Sequence, residues 1–220
     1  MRRTLLILVL VVTACSGASG DPEPPDDLLA RSASVMGELD SAAYVMERTG
    51  APVTIQGLEF SGADGVYGAP DRASAVLDVV VSGITVRLAT VSVGDRTWLT
   101  NPVTGAWDEL DPGTGFNPAR VFDPRIGWQR LLSQDLTDVV VEGREGDVWR
   151  VSAVAAGDRV EVLTAGLAGG EGVPISMEID ADSSHLRSVR FATESDAGTS
   201  EWLIELDEFD EPVTIEPPTP

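Results

Sequence analysis

The 220-residue sequence predicts an α+β protein: one large, curved antiparallel sheet, a half-barrel, wrapped on a few α-helices with an apolar cavity beneath it. Three observations predict it. About ten segments alternate apolar and polar residues at hairpin spacing. Two other stretches, one near the start and one in the middle, instead carry apolar residues at three- and four-residue steps. A sheet of that breadth needs one face covered, yet the helical material is scant for a domain that should bury roughly 70% of its unfolded surface. A curved sheet over a cavity reconciles the two.

The chain opens with a targeting signal. Arg2 and Arg3 precede the apolar run Leu5 to Val12, which is too short to span a bilayer as a permanent helix. Val12-Thr13-Ala14-Cys15 resembles a bacterial lipobox, whose cysteine receives a diacylglycerol on its thiol before cleavage ahead of it. Residues 1–14 are therefore expected to be a signal peptide and Cys15, the sole cysteine, a lipid attachment point. Residues 15–25 form a small, polar, proline-rich tether, and residues 26–220 a single domain.

Asp26 or Asp27 caps a predicted amphipathic helix in which Leu28, Leu29, Ser32, Val35, Met36, Leu39 and Ala43 recur at helical steps, reaching about Arg48. The period then becomes two. Val53 and Ile55 lead to Leu58 and Phe60; Leu77, Val79 and Val81 share a face, as do Ile84, Val86 and Leu88, with Ser82-Gly83 and Gly94-Asp95 at hairpin turns. Further strands are expected at 97–100, 106–110, 138–144, 147–154, 173–180, 186–193 and 200–206. Between them Pro112, Pro118 and Pro124 break the pattern, and Phe122, Ile126, Trp128, Leu131 and Leu132 are spaced for short helices.

Composition excludes much chemistry. All fifteen basic residues are Arg, so lysine Schiff bases and Walker-type phosphate loops are out. One His and one Cys leave no Cys/His zinc site, nucleophile pair or disulfide framework, and no cofactor or metal is expected. A net charge of -21 opposes nucleic acid as a partner. Asp180 to His185 is a polar hairpin turn; as a calcium loop it fails at His185 and Phe191. The cluster Gly166, Gly169, Gly170 and Gly172 lacks phosphate-cradle spacing, and the acidic run from Glu205 to Glu211 is a solvated strand end. Five scattered Trp read as core and rim anchors, with Trp107 and Trp128 expected nearest a cavity mouth.

The order of lipobox, tether and helix, then Trp98-Leu99, Trp107 to Pro112 and Phe122-Asp123-Pro124 to Leu132, resembles actinobacterial lipoproteins of the LppX/LprG type. Val173 to Asp180, Leu186 to Val189 and Phe209 to Pro218 are similar to that family's closing hairpins and terminal strand. The resemblance implies a LolA- and LolB-like half-barrel whose cavity holds acyl chains of a lipid or glycolipid, without enzyme activity. It also implies anchoring at the extracytoplasmic face of the plasma membrane and carriage toward the cell envelope. Moving a sixteen-carbon chain unshielded through water costs on the order of 10 kcal/mol, which a dry cavity avoids.

No motif marks the pocket, so its walls are proposed from apolarity alone. They are Leu29, Val35, Met36 and Leu39 on the helix, then Leu77, Val79, Val81, Ile84, Val86 and Leu88 on strands, and Phe122, Ile126 and Leu132 from the middle segment. The rival reading is an envelope assembly module with a filled core and a protein partner such as a membrane exporter. A hydrolase, which needs a nucleophile with an oriented base, is the weakest reading.

Overall fold

The computed structural model describes residues 23–55, 57–111 and 116–219. The expected signal peptide, Cys15 and most of the tether lie outside the described residues. Helix α1 spans Pro25–Gly37. Proline suits a first turn that needs no amide donor there, and Asp26 and Asp27 sit at the positive end of the helix dipole. Leu28, Leu29, Ser32, Ala33 and Met36 form its buried stripe.

The helix does not reach Arg48 as the spacing suggested. Strand β1 occupies Ser41–Gly50 and buries Ala42, Tyr44, Met46 and Arg48 in strict alternation. Tyr44, Val45 and Thr49 favour a pleated strand, and the four-residue step from Leu39 to Ala43 only imitates a helix. The hairpins that follow are β2 (Val53–Ile55), β3 (Leu58–Gly68), β4 (Arg72–Val81), β5 (Ile84–Val93), β6 (Arg96–Thr100) and the short β7 (Trp107–Glu109). A 3₁₀ turn at Pro118–Phe122 and helix α2 (Trp128–Gln134) fill the proline-broken middle. Strands β8 (Leu136–Glu145) and β9 (Val148–Ala156) lead to helix α3 (Gly157–Leu163), which the sequence reading did not contain. Strands β10 (Gly172–Asp180), β11 (Leu186–Ser195) and β12 (Gly198–Asp207) complete the regular structure of the described residues.

All twelve strands join one antiparallel sheet in the order β7-β6-β5-β4-β3-β1-β12-β11-β10-β9-β8, with β2 beside β3. The last strand thus pairs with the first, and two meanders run outward from that central seam to edges at β7 and β8. Register aligns one inner-face residue from each of nine strands. The row runs Leu88, Leu77, Ala63, Met46, Ile204, Val189, Met177, Val151, Val141. Every member is apolar, so the inner face carries a continuous hydrophobic band across the sheet.

The band is covered by α1, the 3₁₀ turn, α2 and α3, which bury Leu28, Met36, Phe122, Trp128, Leu131 and Leu163 into the same core. Tyr67 stacks on Phe122 with ring centroids 4.4 Å apart. Gly65 pairs with Tyr44, and a Cβ there would stand 2.3 Å from the Ser74 carbonyl oxygen and 2.7 Å from the Tyr44 hydroxyl, so the close approach of β4 requires glycine. Arg159 on α3 reaches Asp135 at the end of α2 at 2.8 Å and also donates to the Ile126 carbonyl, tying the covering elements together.

Candidate functional site

The proposed wall residues divide by depth. Leu29, Met36 and Leu39 of the α1 region, Leu77, Val79 and Leu88 of the β4–β5 hairpin, and Phe122 and Leu132 of the middle segment are all buried in one core. Val35, Val86 and Ile126 are half-buried. Val81 and Ile84 differ: they pair with each other at the hairpin tip and stand 39% and 68% exposed, because the ladder runs on past the core before Ser82 and Gly83 turn it with positive φ.

Several interior residues had not been singled out. Phe60 lies 6.1 Å from both Phe116 and Trp202, and Trp202 stacks on Phe191 at 6.0 Å, so an aromatic cluster bridges the two halves of the sheet. Alternation in β11 and β12 was the signal available for Phe191 and Trp202. Trp128, expected near a cavity mouth, is 1% exposed within the core, whereas Trp107 is half-buried on the edge strand β7.

Most side chains of the inner band and its neighbours are buried. Leu77 and Val79 are 1% exposed, and Phe60, Val151, Met177 and Val189 have no accessible surface. Three polar atoms nevertheless sit in this interior without a hydrogen-bond partner among the described residues: Ser32 Oγ, the Tyr44 hydroxyl and Trp128 Nε1. Burial, with a smaller push from Asp64, raises the Tyr44 pKa well above 10, so the phenol keeps its proton and remains a donor. Buried polar groups are normally paired, and here they could receive a polar atom of a guest.

Three of the depressions on the periphery bear on the apolar face and its cover. A crevice of about 300 Å³ opens between α1, α2 and β8, lined by Leu29, Ala30, Leu132, Leu136 and Val139. A more polar cleft of about 630 Å³ lies between the β5–β6 turn, the 3₁₀ turn and α3. A trough of about 570 Å³ runs over β10, β11, β12 and β1 on the outer face, where Pro174, Ala192 and Leu203 are flanked by Arg190, Glu47 and Glu201.

The His185 segment is a structural turn. Burial opposes ionisation of Asp180, but amides of Ser183 and Asp182 at 2.7 and 3.0 Å, together with Arg187, outweigh it and bring its pKa to about 2. His185 Nδ1 lies 3.0 Å from Ser183 Oγ and its ring stacks on Phe209 at 4.1 Å; burial lowers its pKa. The acidic run is used locally too. Asp210 accepts the Asp40 amide at 2.8 Å, and the Glu211 carbonyl accepts the Ser41 hydroxyl. Among the described residues, no group of three or more His, Cys, Asp or Glu could hold a metal ion. None of the described helices is long and apolar enough to cross a membrane.

Comparison with known proteins adds to the geometry. The family model described as LppX_LprAFG lipoprotein matches residues 24–215. No curated protein matches the chain. Among solved structures, LprF from Mycobacterium bovis is 19% identical, with a TM-score of 0.66 over 91% of this chain and 100% of that one. The lipoprotein LppX of Mycobacterium tuberculosis is also 19% identical, with a TM-score of 0.60 over 90% of this chain and 100% of that one.

Proposed function

Because the chain belongs to the LppX_LprAFG lipoprotein family, we propose that it is a lipid-anchored protein of the cell envelope that binds acyl chains of a lipid or glycolipid and carries them from the outer face of the plasma membrane. The observation that carries this reading is the apolar band crossing nine strands of an unclosed sheet. A solvated protein has no need of so broad an apolar face unless something covers it, and here the cover is three short helices and a 3₁₀ turn. Loading exchanges side-chain contacts for acyl contacts: where α1 and α2 lift from the band, methylene groups take their place. Apolar surface then stays out of water, and the exchange avoids about 0.8 kcal/mol per exposed CH₂. The unpartnered Tyr44 hydroxyl and Trp128 Nε1 would donate to ester oxygens of such a guest.

The anchor follows from Cys15. Ten Cα-to-Cα steps separate it from Pro25 at the start of α1, a reach of at most about 35 Å. The α1–α2–β8 crevice, which includes Asp26 in the first turn of that helix, is therefore proposed as the mouth nearest the membrane. No catalytic step is assigned.

A second reading is an assembly module that docks a protein, such as a membrane exporter. The tightly closed interior and the outer-face trough favour it. Native mass spectrometry with organic extraction, on protein purified from a mycolate-producing actinobacterium, separates the two. Adducts of lipid mass are expected. An apo mass, with no uptake of added diacyl or triacyl lipid, would transfer the assignment to the assembly module.

A further inference from the structure

We infer that the segment from Glu208 to Glu216 is a clasp on the joint between α1 and β1, so that α1 opens from its tether end by pivoting about Asp40. The inference deepens the carrier reading and rests on it. The segment follows β12 without regular structure, yet it is fastened at both ends. At one end the Phe209 ring stacks on His185 at 4.1 Å. At the other, Arg72 Nη1 donates to the Ile215 carbonyl at 2.8 Å, and the Ile215 side chain is 6% exposed. Gly68, at the end of β3, makes room there: a Cβ would stand 3.0 Å from Val213 and 3.5 Å from Ile215. Between those ends the segment meets the joint itself. Asp210 Oδ1 accepts the Asp40 amide at 2.8 Å, the Asp210 amide donates to the Ser41 carbonyl at 3.0 Å, and the Ser41 hydroxyl donates to the Glu211 carbonyl. The Asp40 carbonyl in turn accepts the Ala69 amide at 2.8 Å. Glu208 and Asp210 stand at φ of 47° and 59°, a left-handed backbone that such residues keep only where their surroundings impose it.

The tether end of α1 is held differently. Among the described residues, no hydrogen bond or ion pair joins residues 24–34 to another element: Arg31 pairs with Glu23 just ahead of the helix, and Ser34 with Glu38 just behind it. Leu28 and Leu29 keep that end down by apolar packing, with Leu29 at the α1–α2–β8 crevice. Apolar contacts can be exchanged for acyl contacts without stranding a polar group, whereas parting the joint would break the bonds to Asp210, Glu211 and Ala69 together. The helix therefore swings from its first turn, with Asp40 and Ser41 fixed to the sheet.

The test reads amide hydrogen exchange by NMR on the full chain carrying Cys15→Ser, stripped of lipid. Amides of Leu29 to Ser32 are expected to exchange about fivefold or more faster than those of Val35 to Gly37. Asp210→Gly removes the acceptor and tolerates the positive φ; it should raise Val35 to Gly37 and the Asp40 amide to the faster rate, with β11 amides unchanged. Asp210→Asn, which keeps an acceptor and also tolerates that backbone, should preserve the gradient. Ile215→Ala unseats the far end of the segment, is expected to act in the same direction as Asp210→Gly, and carries the test should that variant fail to fold. An even profile along α1 in the chain without these changes, a gradient that survives Asp210→Gly and Ile215→Ala, or its loss in Asp210→Asn would each overturn the clasp. The same samples are offered vesicles of a phosphatidylcholine bearing a pyrene-labelled acyl chain, and uptake is expected. No uptake by folded protein whose gradient is intact would overturn the carrier reading and not the clasp.

Discussion

Arg48 points to the inner face of β1, opposite Trp202, and is 6% exposed. A buried guanidinium is tolerable only when its donors are saturated. Here Nε donates to the Phe60 carbonyl at 2.6 Å, Nη1 to the Gly50 and Ala51 carbonyls, and Nη2 to Glu59 at 2.9 Å. Arg48→Ala strands those carbonyls and is expected to cost about 3 kcal/mol in urea unfolding. Glu59→Gln, at a half-exposed carboxylate, should cost under about 1 kcal/mol. Asp180 makes a pH-dependent contribution. Its folded pKa of about 2 lies below its ordinary value, so the unfolded chain binds the extra proton, and the stabilisation is full above about pH 4 and lost as pH falls toward 2. Asp180→Asn should lose about 2 kcal/mol at neutral pH and flatten the stability profile across that window. A profile unchanged by the substitution would show that the turn draws nothing from the carboxylate.

The β4–β5 hairpin separates buried from exposed positions within one element. Leu77 and Ile84 share the inner face by alternation, but only Leu77 is under the helical cover. Leu77→Ala should cost about 3 kcal/mol, whereas Ile84→Ser should move the urea midpoint by less than about 0.5 kcal/mol equivalent. This hairpin was fully legible in the sequence, because its alternation is unbroken and Ser82-Gly83 supplies the turn. Other elements were masked by specific residues. The end of α1 was obscured because Leu39 and Ala43 continue a helical spacing into a strand. The later part of β3 was hidden by Gly62 and Gly65, which weaken a strand signal but here lie against neighbouring strands, Gly62 by the Met46 carbonyl and Gly65 by the Ser74 carbonyl and the Tyr44 hydroxyl. Helix α3 was missed because seven residues give too short a period to read, and its position depends on distant partners, Arg159 with Asp135 above all. The site was legible as an apolar face; which of its residues lie deep depends on register and cover, which periodicity does not encode.

At the scale of the whole molecule, anchoring and loading must be compatible. If Cys15 carries the proposed diacylglycerol, Cys15→Ser should move the protein from the membrane fraction to the soluble fraction with an unchanged unfolding midpoint, since the sequence holds no polybasic patch to supplement acyl chains. Continued tight membrane association would place the anchor elsewhere. Loading is constrained more sharply by the inner band, where every residue but the half-buried Val141 at the β8 end has almost no accessible surface. An acyl chain can reach it only if part of the cover moves, and the part next to both the tether and the crevice is α1 with its neighbour α2. The seam of β1 with β12 joins the two meanders and must stay intact. Lipid-loaded protein should therefore exchange amide hydrogens in Pro25–Gly37 faster than stripped protein, while amides in Ser41–Gly50 and Gly198–Asp207 keep their protection. Faster exchange spread over the whole sheet would mean that lipid loosens the fold generally. Unchanged exchange in α1 with lipid demonstrably bound would mean that the acyl chains lie elsewhere, and the outer-face trough over β10 to β12 would become the surface to probe.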